Sequence, residues 1–290
     1  MKVLVAGCNG QVGHCLVEKL RGKVEFLALD AQELDITKKK AVIDTINAFK
    51  PDVIINAAAY TAVDRAETEP EISYKVNCDG PKYLAEAAQS IGASILHIST
   101  DYVFEGNKDG LYNEEDEANP QSIYGESKLA GEQAVIKACD KHIILRTAWV
   151  FCEHGNNFVK TMLRLGKERD NLSIVGDQFG GPTYAGDIAA ALINIALQIH
   201  AGKEAWGIYH FSGKPSVNWY QFADVIFQEA LTQGVLDKVP ELTCITTEQY
   251  LTLAKRPMNS QLDCNKIEKA FGITPSDWQN ALTRIKEYEV

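Results

Sequence analysis

Lys2-Val-Leu-Val-Ala6, followed by Gly7-Cys-Asn-Gly-Gln-Val-Gly13 and His14-Cys-Leu-Val-Glu-Lys-Leu20, is the stretch that decides the fold. Its first five residues are short, apolar and rich in β-formers, and they read as a buried strand. Three glycines then recur at three-residue spacing. Beyond them Val12, Leu16, Val17 and Leu20 fall on one face of a helix. Strand, glycine turn and helix in this order form a dinucleotide-binding βα unit. Gly7 permits the tight turn, Gly10 lets the backbone approach a pyrophosphate, and Gly13 allows close helix packing. Gln11 and Val12 lie at the start of that helix, where free N–H groups and the positive dipole end face the phosphates.

The next apolar run, Val24-Glu-Phe-Leu-Ala-Leu29, ends at Asp30. A carboxylate about twenty residues beyond the glycines is placed to accept hydrogen bonds from the adenosine ribose, which suits NADH. Asp35 and Ile36 form a second polar–apolar pair that could flank the adenine, and Asp35-Ile-Thr37 equally resembles a helix N-cap. Further strands are expected at Val53–Asn56, Ser94–Ser99 and Ile143–Arg146. Helices are expected over about residues 38–49, 71–91 and 123–138. This alternation predicts an α/β fold, a Rossmann-like doubly wound parallel sheet with helices on both faces. Residues 1–150 are read as the dinucleotide-binding domain and 151–290 as mainly a smaller mixed α/β substrate-binding lobe. A helical segment near 183–200 is expected to return to the first domain.

Within Ile123-Tyr-Gly-Glu-Ser-Lys-Leu129, Tyr124 and Lys128 stand one helical turn apart on one face. An ammonium beside a phenol favours the phenolate and lowers the tyrosine pKa, which makes a proton donor or acceptor usable near neutrality. The bland alternative is a half-buried ring and a solvated lysine. Ser99 and Thr100 follow a strand and place a hydroxyl where it can meet a substrate oxygen, or where it merely satisfies the strand's last backbone groups.

The formal net charge of −10 argues against nucleic acid as a partner. No apolar run is long enough to span a bilayer, and the N-terminus reads as a strand rather than a signal peptide, so a cytoplasmic protein is expected. The seven cysteines are scattered, with no Cys-x-x-Cys pair, and suit free thiols in a reducing compartment. No His-Glu-x-x-His occurs and no metal ligand is assigned. Mg2+ is compatible with the chain but has no motif, and a homodimer is likewise compatible.

Together, the glycine fingerprint, Ser99-Thr-Asp-Tyr-Val-Phe104 and the Tyr-x-x-x-Lys helix resemble the extended short-chain dehydrogenase/reductase family. Asn56-Ala-Ala-Ala-Tyr-Thr-Ala-Val-Asp64, Asn119-Pro-Gln-Ser-Ile-Tyr-Gly125, Arg146-Thr-Ala-Trp-Val150, Asn156-Asn-Phe158, Gly181-Pro-Thr183, Arg256-Pro257 and Asn259-Ser260 carry the resemblance nearly end to end. Phe151-Cys-Glu-His-Gly155 departs from the aromatic-Gly sequence of the family. The resemblance implies NADPH or NADH as cofactor and a small-molecule nucleotide-sugar substrate, a dTDP-linked 4-keto sugar. It implies Thr100, Tyr124 and Lys128 as the catalytic triad, with Asn77 supporting the lysine through a water. Ala57, Ala58 and Tyr60 would line the cofactor, and Thr61 and Val63 would lie near substrate. Asp101, Tyr102, Phe104 and Trp149 would shape the sugar pocket. Arg256 resembles an arginine that meets the nucleotide diphosphate; on spacing alone it is equally a surface arginine before a proline. Two rival functions are a sugar-nucleotide epimerase or dehydratase using the same triad, and a non-catalytic subunit like the regulatory subunit of methionine adenosyltransferase. A dehydratase of this family carries Asp-Glu after the threonine, whereas Tyr102 follows Asp101 here.

Overall fold

The computed structural model describes residues 1–288. β1 (Lys2–Ala6), α1 (Gln11–Leu20), β2 (Glu25–Leu29), α2 (Lys39–Phe49) and β3 (Val53–Asn56) open the chain. α3 (Val63–Ala66), α4 (Pro70–Tyr74), α5 (Gly80–Ile91), β4 (Ser94–Thr100), α6 (Ile123–Ala138) and β5 (His142–Thr147) follow. The strands pair in parallel in the order β2-β1-β3-β4-β5, and β10 (Gly207–His210) adds a sixth parallel strand beside β5. The expected α/β class with a central parallel sheet is therefore what forms. Strand order reverses at β1, which runs to β2 on one side and β3 on the other; such a switch point opens a crevice at the strands' carboxyl ends.

β1 explains why both faces of the sheet are covered. Side chains alternate along a strand, so Val3 and Val5 point into the core shared with α1 and α8 (Ala185–His200), while Leu4 and Ala6 point into the core under α2 and α5. A run apolar at every position is what burial on two faces requires.

The remaining elements build a second core. β6 (Val150–Phe151), α7 (Phe158–Glu168), β7 (Asn171–Val175), β8 (Phe179–Gly180) and β9 (Thr183–Tyr184) lead into α8. After β10 come β11 (Val217–Asn218), α9 (Trp219–Thr232), β12 (Glu241–Ile245), α10 (Asn265–Phe271) and α11 (Trp278–Leu282). Phe151, Met162, Phe222, Phe227 and Trp278 centre this core, and β7 pairs with β12 alongside it. α8 packs on α1, and α10 packs on β10 and α8, so two stretches of the second half belong to the sheet's own core.

The single helix expected over 71–91 is interrupted by a π turn at Lys75–Asp79. The cause is local. Pro81 has no N–H to give the carbonyl of Asn77 four residues earlier, and the Gly80 N–H bonds to the Lys75 carbonyl, one residue further back than in an α-helix. The Asn77 carbonyl is left facing α6 at Gly131, where a Cβ would come within 2.0 Å of it.

Candidate active site

A cleft of about 520 Å³ lies over the carboxyl ends of β1, β3, β4 and β5. Strand register brings its walls together, because Ala6 stands opposite Asn56, Asn56 opposite His97, and Thr100 opposite Thr147. Gly10, Gln11 and Val12 form one wall, with Ala57, Ala58, Thr61 and Val63 beside them. Ser99, Thr100, Asp101, Tyr102, Tyr124, Lys128 and Trp149 form the other.

The glycine turn has the shape of a cradle. Gly7 takes a φ of +83°, and a Cβ there would lie 2.6 Å from the Ala58 backbone. Gly13 sits beneath the turn, where a Cβ would be 2.1 Å from the Gly7 carbonyl. A Cβ on Gly10 would instead occupy the open side, meeting only the Gly7 carbonyl at 3.5 Å. No side chain caps the α1 N-terminus, so its N–H groups face the cleft unpaired. The opposite wall holds the buried Ser99 Oγ, Asp101 Oδ2 and Thr147 Oγ1, none with a protein partner. A cradle with free donors, facing orphaned hydroxyl and carboxyl oxygens, fits a dinucleotide.

Asp30 closes an Asx-type turn, accepting from the N–H groups of Gln32 and Glu33, and it receives the Asn9 amide at 2.7 Å. Asp35 accepts from the N–H and hydroxyl of Thr37, which holds its carboxyl below the usual carboxylate range. It borders a separate groove with Thr68 and Lys75, while Ile36 is buried beneath Gly80 in the sheet core; neither lines the central cleft.

α6 starts at Ser122, whose side chain accepts from the Gly125 N–H at 3.2 Å. Gly125 permits the next turn to abut the segment after β4, since a Cβ would lie 2.3 Å from the Tyr102 carbonyl. That docking brings Tyr124 and Lys128 to Thr100. Tyr124 lines the same cleft wall as Thr100 and meets Tyr102 edge-on, with ring centroids 5.5 Å apart.

The electrostatics differ from the expectation that Lys128 lowers the Tyr124 pKa. Burial pushes the Tyr124 phenol well above its ordinary value, with Asp101 adding in the same direction. Lys128 is 2 % exposed and donates to the Ile98 carbonyl at 2.7 Å. Burial pushes it down to about 8. Desolvation dominates at both groups, and the Glu132 charge offsets it only in part at Lys128. Glu132, one turn beyond Lys128, is held by the Arg146 guanidinium at 2.9 and 2.7 Å.

Asn77 is buried in the π turn, against α6. Its amide receives the Tyr60 N–H at 2.8 Å and donates to the Tyr60 carbonyl and the Ser127 hydroxyl, both at 3.0 Å, pinning the loop after β3 to α6. Tyr60 itself turns its hydroxyl to Glu69 rather than to the cleft. Phe104 also departs from its expected place. It is 2 % exposed, stacked on Tyr112 at 4.4 Å with Arg146 over its face, and belongs to a core behind the cleft wall.

A second compartment of about 900 Å³ adjoins at Tyr102, lined by Phe158, Arg169, Gln178, Trp219, Tyr250 and Arg256 among others. Arg256 donates to Asp64 at 2.6 Å and to the Tyr102 hydroxyl at 3.2 Å. Trp149, held at a φ of +48°, stacks on Trp219 at 3.5 Å and joins the two compartments. A bulky residue in that conformation is a strained one, kept by its surroundings.

Comparison with known proteins agrees with this arrangement. Residues 1–289 match the family described as RmlD substrate binding domain. The dTDP-4-dehydrorhamnose reductase of Aggregatibacter actinomycetemcomitans is 56% identical over 290 residues, covering 99% of each chain. The chain belongs to the dTDP-4-dehydrorhamnose reductase family. Among solved structures, a member from Clostridium acetobutylicum is 42% identical with a TM-score of 0.91, covering 98% of both chains. A Bacillus anthracis member, solved in complex with NADP, is 38% identical with a TM-score of 0.89, covering 98% of this chain and 97% of the other.

Within this dTDP-4-dehydrorhamnose reductase family member, several lining residues escaped sequence reading. Asn9, Thr147 and Gly155 border the cleft, and Arg169, Gln178, Trp219 and Tyr250 border the second compartment. Asn9 and Thr147 carried a signal, since one lies inside the glycine turn and the other ends a strand. The others sit in stretches without periodicity. Among the described residues, no group of three or more His, Cys, Asp or Glu is gathered to hold a metal ion, and no helix is long and apolar enough to cross a membrane.

Proposed function

We propose that the protein reduces the 4-keto group of dTDP-4-dehydro-L-rhamnose to give dTDP-L-rhamnose, using NADPH or NADH. The observation that carries this reading is the meeting of Thr100, Tyr124 and Lys128 with the open glycine cradle in one cleft, beside a compartment roomy enough for a nucleotide.

When bound, the reduced nicotinamide supplies the hydride that reduces the keto carbon. Gly10, Gln11 and Val12 would hold the cofactor's pyrophosphate through backbone N–H groups, and Ala57 and Ala58 leave room for it. Asp30, just beyond β2, would accept from the adenosine ribose. Tyr124 is the proton donor to the developing alkoxide, a role that its retained, buried proton suits. The Thr100 hydroxyl fixes the substrate oxygen. Lys128 places a buried positive charge near the phenolate that forms as Tyr124 gives up its proton, and that charge matters more in the transition state than in the ground state. Thr61, Val63, Asp101, Tyr102 and Trp149 bound the sugar, and Arg256 meets the diphosphate.

Tyr102 argues against dehydration, because it puts a phenol rather than a second carboxyl beside Tyr124. The test is incubation with dTDP-4-dehydro-L-rhamnose and NADPH or NADH, following the loss of nicotinamide absorbance and the appearance of dTDP-L-rhamnose. Stoichiometric oxidation is expected. No net oxidation, as from an epimerase, a dehydratase or a binding subunit, rules the reading out.

A further inference from the structure

We propose that Asn157 is a positioning residue for the cofactor: it fixes the side-chain amide of Gln11 so that the Gln11 N–H donors are left for the phosphates. The proposal rests on the cofactor placement above. Residues 152–157, between β6 and α7, form a strap across the glycine turn. The His154 ring stacks on His14 of α1 at 4.1 Å, with the planes 6° apart, and its Nε2 meets the Asn9 carbonyl at 3.1 Å. A carbonyl can only accept, so that nitrogen carries the proton. Gly155, at a φ of +73°, passes over Gln11, and a Cβ there would lie 3.4 Å from Gln11 Cγ. The strap thus carries the chain that leads into the second core past the wall that would meet the pyrophosphate, and Gly155 and Asn156 border the cleft beside Gln11.

Two side-chain amides stand in series under this strap. Each has a donor end and an acceptor end, and their order is set by backbone groups that cannot change roles. Asn157 caps α7, its Oδ1 accepting the Lys160 N–H at 3.2 Å. Its Nδ2 donates to the Cys152 carbonyl at 2.7 Å and to Gln11 Oε1 at 2.9 Å. Turning Asn157 over would set its oxygen against a carbonyl and its NH2 against an N–H. The Gln11 oxygen is therefore engaged, and Gln11 Nε2 keeps two donors with no hydrogen-bond partner among the described residues. Gln11 is the first residue of α1, whose N-terminus no side chain caps. The oxygens of an ionised pyrophosphate accept and do not donate. The observed order offers them further N–H groups, whereas a reversed Gln11 would offer a carbonyl oxygen. In a chain of net charge −10, polyanion binding depends on such local donors.

Asn157→Ser keeps a capping oxygen for α7 but lacks the reach to hold Gln11. The test is a double-variant cycle on the whole protein: wild type, Asn157→Ser, Gln11→Ala and both together. NADPH dissociation constants are read by titration of nicotinamide fluorescence, with urea midpoints alongside. Gln11→Ala is expected to weaken NADPH binding about 10- to 100-fold, the loss of hydrogen bonds to a charged group. Asn157→Ser is expected to weaken it about 3- to 10-fold while Gln11 is present and to add nothing once Gln11 is alanine, with the urea midpoint kept. Weakening of the same size in both backgrounds shows an effect transmitted by the fold alone and overturns the proposal. An unchanged dissociation constant in either single variant also overturns it. Should Asn157→Ser fail to fold, Asn157→Asp replaces it in the cycle. Its carboxylate caps α7 and can only accept from Gln11, which turns the Gln11 oxygen towards the phosphates. A loss confined to the protein that retains Gln11 supports the proposal. A loss of equal size without Gln11, the effect of the added charge, overturns it. A wild-type protein that binds neither NADPH nor NADH brings down the cofactor reading and this proposal together. One that binds NADPH yet reduces no dTDP-4-dehydro-L-rhamnose overturns the reductase reading alone, since the cycle is read without substrate.

Discussion

Lys128 holds a charge where the fold disfavours one. Its ammonium is buried, pushed down to about 8, and anchored to the Ile98 carbonyl. The unfolded chain keeps this lysine protonated up to about pH 10.4. Between the two values the unfolded state binds more protons than the native state, so wild-type stability should rise with pH across that window. Lys128→Met removes the buried charge and should stabilise the cofactor-free protein by about 1–3 kcal/mol at neutral pH, with turnover largely lost. Urea midpoints at neutral pH and above about pH 10 check this, because the gain should fade as the wild-type lysine is neutralised in both states. Tyr124→Phe should keep cofactor affinity, read by titration of nicotinamide fluorescence, and lose about 100-fold or more in kcat; unchanged turnover contradicts the proton-donor role. The spacing of Tyr124 and Lys128 was legible in the chain because helical geometry dictates it. The direction of their pKa shifts was not, because desolvation depends on what distant segments lay over the pair.

At the scale of elements, the glycine turn and the alternation of strands and helices were legible for a physical reason. A strand buried on two faces needs an apolar run, and Val3–Ala6, Val53–Ile55, Ile95–Leu96 and Ile143–Leu145 supply one in β1, β3, β4 and β5. β10 was not legible, since four residues at a sheet edge give too short a run for periodicity. The π turn in the long helix had its signal in Gly80-Pro81, and its consequence lies in the packing of α6. The Asn77 carbonyl abuts Gly131, so Gly131→Ala forces a Cβ to within 2.0 Å of it. Neither partner is a flexible side chain, and the two helices must separate. The expected loss is about 1–3 kcal/mol, read as a lower urea midpoint with an unchanged slope. The shift should also loosen the loop held by Asn77 through Tyr60, raising the KM for cofactor. An unchanged midpoint means the helices already have room to give.

At the scale of the whole molecule, the second compartment draws on residues far apart in the chain. The Arg256–Asp64 contact joins positions 192 residues apart, and no local pattern announces it. Arg256 could be read as a surface arginine or a diphosphate ligand; the fold sets its guanidinium at the edge of this compartment, partnered by Asp64 and Tyr102. A protein of net charge −10 repels a dianionic sugar nucleotide at long range. Binding then depends on local donors, and Arg256 is the planar one nearest the junction of the two compartments. Arg256→Gln should raise the KM for dTDP-4-dehydro-L-rhamnose about 10- to 100-fold while leaving kcat and the cofactor dissociation constant within a few-fold of wild type. Arg256→Lys should fall between, because a point charge cannot bridge Asp64 and a phosphate as a guanidinium does. Screening the long-range repulsion should raise wild-type kcat/KM as salt is added from low ionic strength, whereas screening a dominant local attraction would lower it. Steady-state kinetics over a salt series on the three proteins distinguish these cases, and a KM untouched by Arg256→Gln removes the diphosphate from this compartment.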